Sequence, residues 1–283
     1  MRFTFVLIQF QVEPLAPETN LAKAERFVAQ AAGAGAQLVV FPEYFLTGPL
    51  GTRRDLADAA GRHRAAFQAM AAQHGVDLVP GSFAEAEGGR FYNTAYYIAA
   101  NGDVLARYRK VNLWVGEKLW VSPGDGAAVC ETRFGRVGLA ICWDLAFPEL
   151  FRDMLRLGAE VVVCPSCWCR EDAGPGQRHN PQAEELFVDS LCVARAFESE
   201  CVVAFCNVAG AFDTRVGRRH SMGHSQVAVP FKGAIARLGH ADEEMLLAEV
   251  DTSLLADAEA AYEIRKDLAA REPQPIRPID SLD

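Results

Sequence analysis

The sequence predicts an α/β protein built from two packed sheets. Near-continuous apolar runs alternate with helix-spaced segments early in the chain, and hairpin signals follow in the middle and near the end. The 283 residues, 50% of them apolar and 23% charged, can bury a large core without a metal or a disulfide framework. Alternation alone would suit a doubly wound parallel sheet. The hairpins demand antiparallel strands as well, so a two-sheet sandwich fits better.

The elements follow in order. Residues 3–10 form a near-continuous apolar run, as a buried strand requires. Residues 20–33 place apolar and alanine positions at helical spacing, and Gly33 and Gly35 stop them. A short β-branched run at 37–41 is the second strand, 57–75 a helix, and 77–83 and 93–100 strands. Asn101-Gly102 between 96–100 and 104–108 is a strong hairpin signal. Phe134-Gly135-Arg136 turns the chain into a strand at 137–142. A helix at 149–157, a strand at 161–164, a helix at 182–198 and a strand at 201–207 continue the alternation. Strands at 227–229, 233–238 and 245–250 precede a helix at 257–267 and a proline-rich extended tail at 273–278. With no internal repeat and no linker-like stretch, residues 1–283 read as one domain, with 255–283 as its C-terminal helix and tail.

Composition narrows the function. The net charge is −9 and no basic run could track a phosphate backbone, so nucleic acid is not an expected partner. No apolar run has the length of a membrane span, and residues 1–8 read as a first strand rather than a leader. The eight cysteines lie mostly inside apolar runs, which suits reduced thiols in a cytoplasmic protein.

Three reactive residues sit where predicted strands end: Glu43 after Val39-Val40-Phe41-Pro42, Lys110 just past Tyr108, and Cys142 after Val137-Gly138-Leu139-Ala140-Ile141. Strand C-termini are where α/β folds usually place their sites. Periodicity does not say whether the three meet. Phe41-Pro42-Glu43-Tyr44-Phe45-Leu46-Thr47-Gly48, Tyr108-Arg109-Lys110-Val111-Asn112-Leu113 and Gly138-Leu139-Ala140-Ile141-Cys142-Trp143-Asp144 together resemble the nitrilase superfamily of carbon–nitrogen hydrolases. Ser122-Pro123-Gly124-Asp125 and Ala194-Arg195-Ala196 with Asn207 add to the match. The resemblance runs from about residue 3 to about residue 250.

That resemblance implies a four-layer αββα sandwich, a homodimer or larger assembly, and a Glu–Lys–Cys triad matched by Glu43, Lys110 and Cys142. Glu117 matches a further glutamate of the family. Trp143 and Trp168, together with Tyr44 and Asn112, are candidates for the substrate pocket. No metal or cofactor is implied.

The chemistry is coherent. Amides are poor electrophiles, and a free thiol with a reference pKa of roughly 8.5 is only slightly ionised near neutrality. A base must take its proton, which Glu43 could do before passing it to the leaving amine. Attack creates an oxyanion that Lys110 and the Trp143 backbone N–H could stabilise. A water activated by Glu43 or Glu117 would then hydrolyse the resulting thioester.

Cys164-Pro165-Ser166-Cys167-Trp168-Cys169 could suggest zinc, but would need two more ligands, from His179 or from His220 and His224. Pocket wall and core is the simpler expectation. A serine hydrolase would need a Gly-x-Ser-x-Gly elbow. Cys142-Trp143-Asp144 looks more like amidase and carbamoylase branches than true nitrilases, which usually carry Glu at the position of Asp144. Carbamoylases for amino acids often place an arginine soon after the cysteine, where this chain has Leu145 and Ala146. Arg170, Arg178 or Arg195 could replace it. The expectation is a thiol hydrolase of a linear small-molecule amide or N-carbamoyl compound. A nitrilase and a non-catalytic binding protein of the same fold are the alternatives.

Overall fold

The computed structural model describes residues 1–214 and 217–270. The proline-rich segment at 273–278 lies outside them.

The first sheet is built on β1 (Arg2–Gln11), which pairs in parallel with β2 (Leu38–Val40). Next to β2 runs β3 (Asp77–Val79), also parallel. Beyond it come the antiparallel strands β4 (Ser82–Glu87), β5 (Arg90–Ile98) and β6 (Val104–Arg109). The second sheet contains β7 (Ala128–Thr132), β8 (Gly135–Leu139), β9 (Val161–Ser166) and β10 (Val202–Ala209). In it β8, β9 and β10 are parallel. A small hairpin, β11 (Ala211–Thr214) and β12 (Gly217–His220), stands apart. Strands β13 (Gln226–Val229) and β14 (Gly233–Arg237) extend the second sheet. Finally β15 (Glu244–Asp251) returns antiparallel to β1. Among the described residues, the two sheets join where Phe10 and Gln11 of β1 meet Val208 and Ala209 of β10.

The alternation of side chains along β1 sets the layers. Phe3, Phe5 and Leu7 point to the core between the sheets, where they meet residues such as Val137, Val161, Val163 and Phe205. Val6, Ile8 and Phe10 point the other way, onto α1 (Pro17–Gly33) and α2 (Arg62–His74). On the far side, α3 (Pro148–Arg156) and α4 (Ala183–Glu198) bury Met154, Val188, Cys192 and Ala196 against the second sheet. The result is the αββα sandwich expected from the sequence.

Some boundaries differ from expectation. Helix α2 starts at Arg62 rather than residue 57, because Asp58 accepts the N–H groups of Ala60, Arg62 and His63 and caps it from outside. The strand expected at 77–83 is broken at Gly81 (φ 62°), where an added Cβ would lie 1.9 Å from the carbonyl oxygen of Pro42. The helix expected at 257–267 is two, α5 (Leu254–Tyr262) and α6 (Ile264–Ala270), separated by Glu263 at φ 51°. Strand β7 and the β11–β12 hairpin were not anticipated; their short, half-exposed runs lack a continuous apolar signal.

Candidate active site

Three strand ends and one helical turn converge. Glu43 follows β2, and its N–H donates to the carbonyl of Ser166 at the end of β9 (3.2 Å). Lys110 follows β6, and its N–H donates to the Asn93 carbonyl on β5 (2.9 Å). Gly124 explains the Pro-Gly-Asp signature: its N–H donates to the Lys110 carbonyl at 2.9 Å, and a Cβ there would stand 2.1 Å from the Arg109 carbonyl oxygen. Cys142 follows β8 and opens a short 3₁₀ turn at φ 50°, a left-handed conformation that is strained for a side-chain-bearing residue. Glu117 begins another 3₁₀ turn, Glu117–Leu119.

The four side chains meet in a nearly closed site. Lys110 Nζ donates to Glu43 Oε1 at 2.8 Å and to Glu117 Oε2 at 2.6 Å, and only 1% of the lysine side chain is exposed. The Cys142 thiol lies close enough to the Glu43 carboxylate to feel its charge. Glu43 Oε2 also accepts the Cys167 backbone N–H at 3.0 Å. Glu117 takes the Tyr44 hydroxyl at 2.9 Å and the Trp114 backbone N–H at 2.9 Å. Asn93 Nδ2 reaches both carboxylates, 2.7 Å from Glu43 Oε1 and 2.8 Å from Glu117 Oε1.

Electrostatics separate the two carboxylates. Burial, reinforced by the charge on Glu117, holds the Glu43 pKa above the usual carboxylate range despite Lys110. Glu117 is buried too, yet Lys110 and the Trp114 and Asn93 donors bring it below that range. Burial opposes the charge on Lys110, but Glu117 and Glu43 outweigh it and raise its pKa well above the ordinary value. Burial and then Glu43 push the Cys142 thiol well up, so it rests protonated. The site is therefore a fixed Glu117–Lys110 ion pair beside a thiol and a carboxylate with raised proton affinity.

A bracing network surrounds it. Asp144 is fully buried and accepts from Ile141 N–H (2.9 Å), Tyr108 Oη (2.7 Å), Asn112 N–H (2.8 Å) and Asn112 Nδ2 (3.0 Å). It ties the turn carrying Cys142 to the strand end carrying Lys110. Asn112, expected in the substrate pocket, spends its amide donor on this brace. Tyr44 sits at the site through its bond to Glu117. Trp143 packs its ring against Trp114 (4.6 Å between centroids) and Trp168 (5.5 Å). Trp168 is itself buried, with its indole N–H on Glu184 and its backbone held by Asn207.

Asn93 and Asp144 are the contributors that sequence reasoning did not single out as site residues. The available signal was a polar residue inside an apolar run: Asn93 in Phe91-Tyr92-Asn93-Thr94-Ala95-Tyr96, a poor strand former in a strand. The cysteine-rich segment forms site wall and core. Cys164 is buried, the Cys167 N–H serves Glu43, and the Cys169 N–H donates to Asp172 (2.8 Å). His220 and His224 bond instead to Glu171 and Asp189. Among the described residues, no group of three or more His, Cys, Asp or Glu side chains could hold a metal ion. Arg170 pairs with Glu185, and buried Arg195 donates to the Leu145 carbonyl and to Glu198.

Known proteins share this architecture. The carbon–nitrogen hydrolase family profile matches residues 7–260. Omega-amidase NIT2-B of Xenopus laevis is 30% identical over 277 residues, covering 94% of each chain. The 2-oxoglutaramate amidase of Bacillus subtilis is 30% identical over 276 residues, covering 95% of this chain and 100% of its own. Among solved structures, a glutamate-to-glutamine variant of the Nesterenkonia sp. AN1 amidase superposes with a TM-score of 0.75 at 27% identity, over 92% of this chain and 98% of that one. That structure holds acrylamide added to the active-site cysteine.

Proposed function

The chain belongs to the nitrilase superfamily of carbon–nitrogen hydrolases, and from that membership we propose that it hydrolyses a linear amide through a thioester on Cys142. It is a hydrolase of carbon–nitrogen bonds other than peptide bonds. The observation that carries the proposal is the buried cluster in which Lys110 bonds both Glu43 and Glu117 while the Cys142 thiol sits beside Glu43.

The steps follow from which acceptor positions are taken. Glu43 Oε1 already accepts Lys110 and Asn93, whereas Oε2 accepts the Cys167 N–H and keeps a lone pair to receive the thiol proton. As that proton moves, the sulfur attacks the amide carbonyl and the carbon–oxygen π pair moves onto oxygen. Lys110 and the Trp143 backbone N–H stabilise the oxyanion, each by about 2–4 kcal/mol. The intermediate collapses by breaking the carbon–nitrogen bond. Glu43 returns its proton to the leaving nitrogen, which departs as ammonia or an amine. Glu43 then deprotonates a water that attacks the thioester, releasing the acid and restoring the thiol. Glu117 serves poorly as that base. Its two oxygens already accept Tyr44, Asn93, Lys110 and Trp114, so a proton would displace a bond. Its role is to keep Lys110 charged. The adjoining rings of Trp114, Trp143 and Trp168 form a wall for the acyl group.

A screen of ammonia release over linear amides, N-carbamoyl compounds and nitriles tests the reading. Turnover is expected with amides. Turnover confined to nitriles, or none with any of the three classes, would overturn it.

The raised Glu43 pKa carries a sign. Glu43 must be ionised to accept the proton, so kcat/KM is lost as pH falls through that raised value. The acid limb is expected above the ordinary carboxylate reference of about 4.3. A pH–rate profile with its acid limb at or below that reference would remove Glu43 as the base.

We further propose that the whole chain acts as one hydrolase unit in a homo-oligomer. Exposed apolar side chains such as Val115 (68%), Leu119 (84%) and Leu186 (62%) support an interface. Sedimentation velocity should detect a dimer or larger species, and a monomer throughout would contradict this. Eight free thiols support a cytoplasmic setting, which recovery of a disulfide-bonded secreted form would contradict. Among the described residues no helix is long and apolar enough to cross a membrane.

A further inference from the structure

Asn93 sits on β5 with its side chain fully buried. Its backbone carbonyl receives the Lys110 N–H, and its Nδ2 donates to one oxygen of each carboxylate, at 2.7 and 2.8 Å. Its own Oδ1 is buried and has no hydrogen-bond partner among the described residues. A buried amide kept only for packing would satisfy its acceptor, because an orphaned one costs stability. Here the acceptor is left unmet while both donors serve the two acidic groups.

A carboxamide nitrogen only donates, so Glu43 Oε1 and Glu117 Oε1 are both held as acceptors. Lys110 Nζ bridges the same two carboxylates from a second position. Two donor groups across one carboxylate pair fix their separation and the rotation of each. For Glu43 that rotation turns Oε2 toward the Cys167 N–H and leaves the carboxylate beside the Cys142 thiol.

We infer that Asn93 is a positioning residue for the reaction: its amide favours the ionised forms of Glu43 and Glu117 and fixes the orientation of Glu43 beside the thiol. The inference rests on the catalytic reading of Cys142 and Glu43 proposed above. Hydrogen bonds to an ionised carboxylate favour that form, so removing one raises its pKa.

The test compares Asn93→Ala, which leaves no donor, with Asn93→Ser, which leaves one. In Asn93→Ala, kcat should fall roughly 10- to 100-fold, as when other groups that orient reactive residues are lost. KM should change little. The acid limb of kcat/KM should move to higher pH by about one unit, the worth of a charge-assisted hydrogen bond. Asn93→Ser should fall between Asn93→Ala and the wild type on both measures. The pH dependence of Cys142 alkylation by iodoacetamide reads the same shift without substrate. It keeps Asn93→Ser decisive if Asn93→Ala does not fold. An acid limb that stays in place, with or without lost activity, would reduce Asn93 to a packing role. If Cys142→Ala were itself active, the catalytic reading would fail instead, so the two failures are distinguishable.

Discussion

Cys142→Ala is expected to lower ammonia release at least about 10⁴-fold, the scale of losing a nucleophile from a group of residues acting as a unit. Alanine removes the sulfur proposed to carry the acyl group. Lys110, Asn93 and the Trp114 N–H donate without offering a nucleophile. Cys164 is fully buried, with its thiol 3.9 Å from the Cys142 carbonyl oxygen. The fold should persist, because the change is small and the φ of 50° strains alanine no more than cysteine. Unfolding free energy should stay within about 1 kcal/mol of the wild type, the centre of the range for point substitutions. Ammonia assays alongside thermal unfolding check both halves.

Lys110→Met is the second large effect, and it should cost stability as well as activity. The lysine lies between two buried carboxylates, and methionine has similar length with no charge. The substitution leaves Glu43 and Glu117 facing each other unpaired. Breaking a buried ion pair from one side costs about 3–5 kcal/mol. At 2–4 °C per kcal/mol, thermal unfolding should shift down on the order of 10 °C. Losing the oxyanion donor should lower kcat by about 10²–10³-fold. Adding Glu117→Gln to Lys110→Met removes one unpaired charge, and should recover part of the stability but none of the activity. A double variant no more stable than Lys110→Met would mean that packing, rather than charge, dominates at this position.

Local signals made the frame of the molecule legible. The apolar run of β1 reads as a strand because its alternate residues are buried on both faces. The hairpin at Asn101-Gly102 is visible because Gly102 adopts φ 89° in a turn closed by Ala99 and Asp103. Glu43, Lys110 and Cys142 could be named because each lies in its own short motif at a strand end. What stayed hidden depends on partners far along the chain. Asn93 bonds Glu43 across 50 positions, and Asp144 bonds Tyr108 across 36. No window of sequence contains both members. The late start of α2 is a smaller case of the same kind, since Asp58 caps the helix from beyond Gly61. The pocket expectation for Asn112 missed for a related reason. The residue is at the site, but its amide belongs to Asp144.

The proposed mechanism puts the acyl group on Cys142. Its most direct test is peptide-mapping mass spectrometry of enzyme acid-quenched during turnover of an active amide, with hydroxylamine present in a parallel reaction. An acyl mass is expected on the peptide containing Cys142, with a hydroxamate product in the parallel reaction from capture of the thioester. An acyl group on a different residue would contradict the mechanism, as would full ammonia release with neither adduct nor hydroxamate.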